Sequence, residues 1–84
     1  MKAVLAKRVD SGAADLSELR DLAAAAGYEV VGELTQTRAE DTAHHFGQGK
    51  VTEIAELVAR TDAETAIIDN EVGPYQMFNI GRIL

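Results

Sequence analysis

Cysteine is missing from all 84 residues, which removes disulfide scaffolds, thiolate metal sites and cysteine nucleophiles at once. Long hydrophobic runs are missing too. Such runs as Ala3–Ala6 and Ala23–Ala26 fall far short of the roughly 20 residues that a bilayer-crossing helix needs. They are also too short for the core of a signal peptide. Nothing marks the chain for export or for a membrane, so it is expected to be cytoplasmic. Positive charge is scarce. Lysine occurs only at Lys2, Lys7 and Lys50, and fourteen acidic residues outweigh eight basic ones for a net charge of −6. A binder of DNA, or of any nucleic acid irrespective of sequence, needs a basic surface to displace counterions, and none is present. The acidic excess suits a salt-rich cytoplasm, because the Debye length shrinks to about 3 Å at 1 M and self-repulsion is screened. A halophilic source is the corresponding expectation.

What remains is an ordinary small domain. Its hydrophobic share of 46% argues against intrinsic disorder. Its length is near the lower limit for folding without a metal or disulfides. Short β-like runs alternate with helical periods. Ala3-Val4-Leu5-Ala6 reads as a strand buried on both faces. Asp15-Leu16-Ser17-Glu18 reads as a capping box, with Asp15 as N-cap and Glu18 reaching back. Leu16, Leu19, Leu22, Ala23 and Ala26 then recur on one helical face, and Gly27 stops the helix at a left-handed position.

A second strand is predicted over Tyr28–Thr37, with Gly32 marking a bulge. Arg38–His45 is polar, breaks any period and reads as a loop. Val51, Ile54, Ala55 and Val58 mark a second helix from about Lys50 to Arg60. Thr65-Ala66-Ile67-Ile68 is a third buried strand, ending at Asp69. Pro74, the only proline, suits the first turn of a third helix. The order βαβαβα predicts an α/β domain of three layers, with a parallel sheet joined by right-handed crossovers. Three strands make a thin sheet, and Ile83-Leu84 ends on an apolar run, so a closing fourth strand is expected in a longer parent.

Candidate chemistry centres on Phe46-Gly47-Gln48-Gly49-Lys50-Val51-Thr52-Glu53. Glycines before a helix let backbone N–H groups approach an anion, and Lys50 adds positive charge. A P-loop needs four residues between its glycines and a hydroxyl after the lysine. Here one residue separates Gly47 from Gly49, and Val51 follows Lys50. The dinucleotide fingerprint fails as well, with Thr52 at the third glycine position. Two readings stay open: a tight turn with a solvated Lys50, or an anion site. His44 and His45 are adjacent, so in an extended segment they point apart and do not chelate one ion. Asp69 lies where parallel sheets place ligands, although an aspartate there also serves to accept loop or helix-start N–H groups. Met77, Phe78 and Ile80 read as core or hidden interface.

Several segments together resemble the amino-terminal domain of HflX-type GTPases. They are Thr35-Gln36-Thr37-Arg38, the stretch from Phe46 to Leu57, Ile67-Ile68-Asp69-Asn70, and Pro74-Tyr75-Gln76-Met77-Phe78-Asn79. Arg38, Gly47, Gly49, Lys50, Glu53, Ile54, Asp69, Pro74, Gln76 and Asn79 match the family pattern residue by residue. Phe46 stands one residue tighter than usual, Gly73 replaces an N-capping serine, and Phe78 replaces a charged residue.

The resemblance implies a protein that associates with the large ribosomal subunit, with a helical hairpin and a G domain following this segment. On that reading residues 1–84 are a non-catalytic domain that helps docking, contacts its own G domain and modulates the GTPase. GTP and magnesium then belong to the G domain, and these 84 residues need no cofactor. Proposals of ATP binding in the family keep Gly47, Gly49, Lys50 and Arg38 as candidate contacts for an anion, a nucleotide or the ribosome. Asp69, Gln76 and Asn79 form a second tier.

Overall fold

Ala3, Val4, Leu5 and Ala6 have no solvent exposure, because their strand runs through the middle of the sheet. The computed structural model describes all 84 residues. Its elements are β1 (Lys2–Val9), α1 (Ser17–Ala25), β2 (Glu29–Thr37), α2 (Gln48–Thr61), β3 (Thr65–Ile68) and α3 (Pro74–Ile83). The strands form one parallel sheet in the order β2-β1-β3. A small α/β domain of three layers is thus observed, as the alternating pattern predicts.

Period-two alternation along the strands sorts side chains onto the two faces. Ala6, Leu34, Ala66 and Ile68 point toward α2 and α3, where Phe46, Val51, Ile54 and Ile80 complete a core. Leu5, Val30 and Ile67 face the other way, against Leu16, Leu19 and Ala23 of α1. One face therefore carries two helices and the other a single helix of nine residues.

Local signals explain most boundaries. Gly27 adopts φ +90°, and the N–H groups of Gly27 and Tyr28 return to the carbonyls of Ala24 and Ala23, closing α1 in a Schellman motif. Pro74 opens α3, as expected. Its cap is half a capping box: the Gln76 side-chain oxygen accepts the Gly73 N–H at 3.1 Å, while Gly73 has no side chain to return the bond. In β2 the register slips so that Ala3 pairs with Val30 and Val4 with Gly32, leaving Val31 as the extra residue. Gly32 has a separate reason to be glycine. A Cβ there would come within 2.8 Å of Leu57 Cδ2, so its lack of a side chain lets α2 approach the sheet.

Four expectations need correction. β1 extends beyond Ala6 to Val9, because Lys7, Arg8 and Val9 keep pairing with Thr35, Gln36 and Thr37 despite their polar character. The box at α1 is one-sided. Leu16 is the N-cap, and the Asp15 carboxylate accepts the Ser17 N–H at 2.9 Å with no reciprocal bond from Glu18. That bond holds the Asp15 pKa below its usual value. α2 begins at Gln48, two residues ahead of Lys50. Finally, β3 reads as a buried strand, yet all four of its residues are only half-buried, because it forms an edge.

Candidate functional site

Sheets of this topology place ligands in the crevice where connections diverge, outside the carboxyl ends of the strands. Here that point lies between β1 and β3, and side chains of the chain itself fill it. The Asn70 carboxamide accepts the Arg8 N–H at 2.9 Å and donates to the Arg8 carbonyl at 3.0 Å. It thereby imitates the next strand residue and extends the ladder past Ile68. Alongside, Lys7 Nζ lies 3.3 Å from Asp69 Oδ2. Asp69 thus pairs with a lysine and accepts no helix-start N–H.

Arg8 closes the end of the sheet from the other side. Its guanidinium bonds to Asp10 at 2.7 Å and to the Arg38 carbonyl at 2.8 Å, with the side chain nine-tenths buried. Its Nε is buried without a partner.

The Gly47–Lys50 segment does not have the geometry of a tight turn with a solvated Lys50. Gly47 has φ −58° and Gly49 is helical, so neither glycine is needed for a left-handed turn. Gly47 is glycine because the Arg38 guanidinium and the Gln36 carboxamide crowd the place of a Cβ. The Gln36 oxygen also accepts the Gly47 N–H at 2.8 Å. A Cβ on Gly49 would meet nothing. Lys50 is not free in solvent but pairs with Glu53 at 2.7 Å on the same helix. Of the four first-tier candidates, Arg38 and Gly47 are thus in contact at the start of α2. Arg38 Nε donates to the Ala39 carbonyl, and the side chain enters no ion pair.

Gln76 and Asn79 lie one turn apart on α3 and both reach the loop before α2. Gln76 Nε2 donates to Glu40 Oε2 at 2.7 Å and to the Asp41 carbonyl at 3.0 Å. Asn79 Nδ2 donates to the Ala43 carbonyl at 2.9 Å. In this structure these second-tier residues fasten a loop. Asp41 organises the same loop from within: its carboxylate accepts the N–H groups of Ala43 and His44, and its backbone bridges to His45. Glu40 has a pKa below its ordinary value, chiefly through the Gln76 bond and then through His45. Asp41 is lowered mainly by the His44 N–H.

The burial of His45 escaped the sequence reading. The residue is 2% exposed, adopts φ +67°, stands edge-on to the Phe46 ring at 5.1 Å and leaves Nε2 without a partner. The two histidines do part company as adjacent residues should: His44 lies 3.4 Å from Asp41 and His45 3.4 Å from Glu40. The signal for Glu40, Asp41 and His45 was weak, since a polar stretch without period discloses no partner. Asn70 carried a local cue, an Asx residue two positions after a strand.

These features define a small parallel α/β domain whose strand-end crevice is closed by its own side chains, with α3 clamping the loop that leads into α2. The profile of a family described as GTP-binding GTPase N-terminal matches residues 13–84, and the chain belongs to that family. Among curated relatives, it is 41% identical over 76 residues to the GTPase HflX of Thermofilum pendens, covering 86% of this chain and 18% of that protein. The GTPase HflX of Caldanaerobacter subterraneus is 38% identical over 66 residues, covering 77% of this chain and 15% of the relative. That of Escherichia coli is 35% identical over 75 residues, covering 88% and 18% respectively. The chain therefore spans less than a fifth of the length of these relatives. No helix is long and apolar enough to cross a membrane.

Proposed function

We propose that residues 1–84 form the non-catalytic amino-terminal domain of a longer cytoplasmic GTP-binding protein that associates with the large ribosomal subunit. The domain helps to dock the protein and modulates its GTPase, while GTP and magnesium are handled by a G domain elsewhere in the parent. The observation that carries this reading is the family match across residues 13–84 to the N-terminal part of GTPases. Two features support the non-catalytic part. The sequence has no P-loop, and the crevice where a parallel sheet would take a nucleotide is occupied by Asn70 and the Lys7–Asp69 pair.

The sheet also supports a longer parent. α1 and α2 lie on opposite faces, as two crossovers of the same hand require when one runs outward to β2 and the other back past β1 to β3. α3 shares the face of α2. A crossover of that hand on that face would carry any following parallel strand to the free edge of β3. Ala55, Val58, Ala66 and Leu84 line a groove beside that edge.

The test is isothermal titration of the 84-residue chain and of the full-length parent with GTP and magnesium, together with phosphate release. The parent should bind and turn over GTP and the domain should do neither. Micromolar affinity or turnover by the domain would refute the assignment.

One observation favours a second reading, an anion site. Arg38 is a cation outside any ion pair, set against the start of a 14-residue helix whose positive pole attracts anions. Titration of the chain with inorganic phosphate and with ATP separates the two. Binding that Arg38→Ala abolishes would support the anion site, and no heat with either ligand would remove it.

A further inference from the structure

Fourteen acidic residues are spread along the chain, yet none falls between Val72 and Leu84, and none lines the hollow beside the end of α3. That hollow measures about 260 Å³ and is lined by His44, Gln48, Asn79, Arg82 and Ile83. The lining comes from three segments: the loop before α2, the first residue of α2, and the last two turns of α3. Its four polar side chains keep unused bonding capacity. Asn79 spends one N–H on the Ala43 carbonyl and retains the other N–H and its oxygen. His44 meets Asp41 through Nδ1 at 3.4 Å, which leaves Nε2. The Gln48 carboxamide and the Arg82 guanidinium enter no hydrogen bond or ion pair with the protein. Arg82 lies instead over the Phe78 ring, 5.9 Å from its centre.

We propose that this hollow binds a small phosphate monoester. The site is not the one considered at Arg38, which does not line it. Arg82 offers a planar fork of N–H groups, and a carboxylate, with two oxygens in one plane, would be satisfied by that fork alone. A phosphate monoester presents three acceptor oxygens in a tetrahedral arrangement and carries up to two negative charges. The amides of Gln48 and Asn79 supply further N–H groups from other segments, as a tetrahedral group requires. Nε2 of His44 donates to a phosphate oxygen when the ring carries both protons and accepts from a protonated one when it does not. The hollow is larger than inorganic phosphate fills, and Ile83 makes one wall apolar, so a short carbon chain fits beside the phosphate. Arg82 also stands in the last turn of α3, where the carbonyl pole favours a cation without any ligand. That placement does not account for the gathering of Gln48, Asn79 and His44 around the same space.

The experiment is titration of the isotope-labelled chain with inorganic phosphate, glycerol phosphate and dimethyl phosphate at constant ionic strength, followed by NMR. Saturable shifts are expected at the side-chain amides of Gln48 and Asn79 and at Nε–H of Arg82, with glycerol phosphate bound more tightly than inorganic phosphate. Arg82→Ala should weaken binding about tenfold or more, as loss of a charge-assisted bond does, and Gln48→Ala about threefold. Arg82→Lys keeps the charge without the fork and should fall between Arg82→Ala and the parent sequence. Gln48 and Arg82 are exposed, so the spectra of these variants should otherwise match that of the parent sequence. Arg38→Ala should leave the affinity unchanged. Shifts that never saturate, or an affinity indifferent to Arg82→Ala, would overturn the proposal. So would loss of binding through Arg38→Ala with Arg82→Ala silent, which would move the anion to Arg38. Dimethyl phosphate binding as tightly as glycerol phosphate would overturn the assignment to a monoester.

Discussion

The carboxamide of Asn70 holds both the N–H and the carbonyl of Arg8, at 2.9 and 3.0 Å, across 62 residues of sequence. It ties the end of β3 to the middle strand beyond the last regular pair, Ala6 with Ile68. It also lies in the crevice where parallel sheets of this topology place ligands.

Removing that side chain should therefore cost stability. Asn70→Ala strands two partly buried backbone groups, and each lost partner is worth about 1 kcal/mol net, more where water cannot replace it. A loss of about 1–3 kcal/mol is expected in urea unfolding. Asn70→Asp keeps the acceptor but turns a carboxylate oxygen toward the Arg8 carbonyl, and should be no better than alanine. A stability change below about 0.5 kcal/mol for both would show that the pair contributes only geometry.

The two glycines at the start of α2 should behave in opposite ways. Gly47→Ala places a methyl against the Arg38 guanidinium and the Gln36 carboxamide. Both are ends of flexible side chains, but moving Gln36 also forfeits its bond to the Gly47 N–H. A loss of about 1 kcal/mol is expected. Gly49→Ala meets nothing, sits at a helical φ and limits the unfolded chain, so it should stabilise by about 0.4–1 kcal/mol. Equal destabilisation by both substitutions, in thermal or urea melts, would restore the tight-turn explanation.

Acid should loosen the loop between β2 and α2. Glu40 and Asp41 both have folded-state pKa values below the ordinary 4.5 and 3.8. A depressed carboxylate stabilises the fold fully above its unfolded pKa and loses that contribution as pH falls through the folded one. Stability should thus hold steady above roughly pH 5 and decline below it. Glu40→Gln keeps the shape but gives up the charge that Gln76 and His45 favour, and should flatten part of the decline. A profile identical to the parent sequence between pH 5 and pH 3, followed by circular dichroism, would exclude Glu40 from the acid transition.

Much of the fold was readable because local chemistry and global packing agree at particular residues. Gly27 needs a positive φ, Pro74 suits a first helical turn, and Thr65–Ile68 is apolar and β-branched. Each stands where the sequence puts it. The rest depended on partners distant in sequence. Lys7–Val9 look like loop until Thr35–Thr37 pair with them. Asp15 caps α1 without Glu18, because Leu16 and not Asp15 is the first boundary residue. Gly47 reads as a turn glycine, yet its reason is the side chain of Arg38 nine residues earlier. The buried His45 could not be foreseen, since nothing in a polar stretch announces that Glu40 and Gln76 will meet beside it. Lys50 looks like a free cation until Glu53 falls one helical turn away.

We propose that this domain helps to dock a GTPase on the large ribosomal subunit and does no nucleotide chemistry itself. Its most direct test compares the full-length parent with a version lacking residues 1–84, by co-sedimentation with large ribosomal subunits at two salt concentrations and by GTP binding in the same samples. The deletion should weaken subunit association while GTP binding persists. Unchanged association after deletion, or loss of GTP binding without any change in association, would contradict the account.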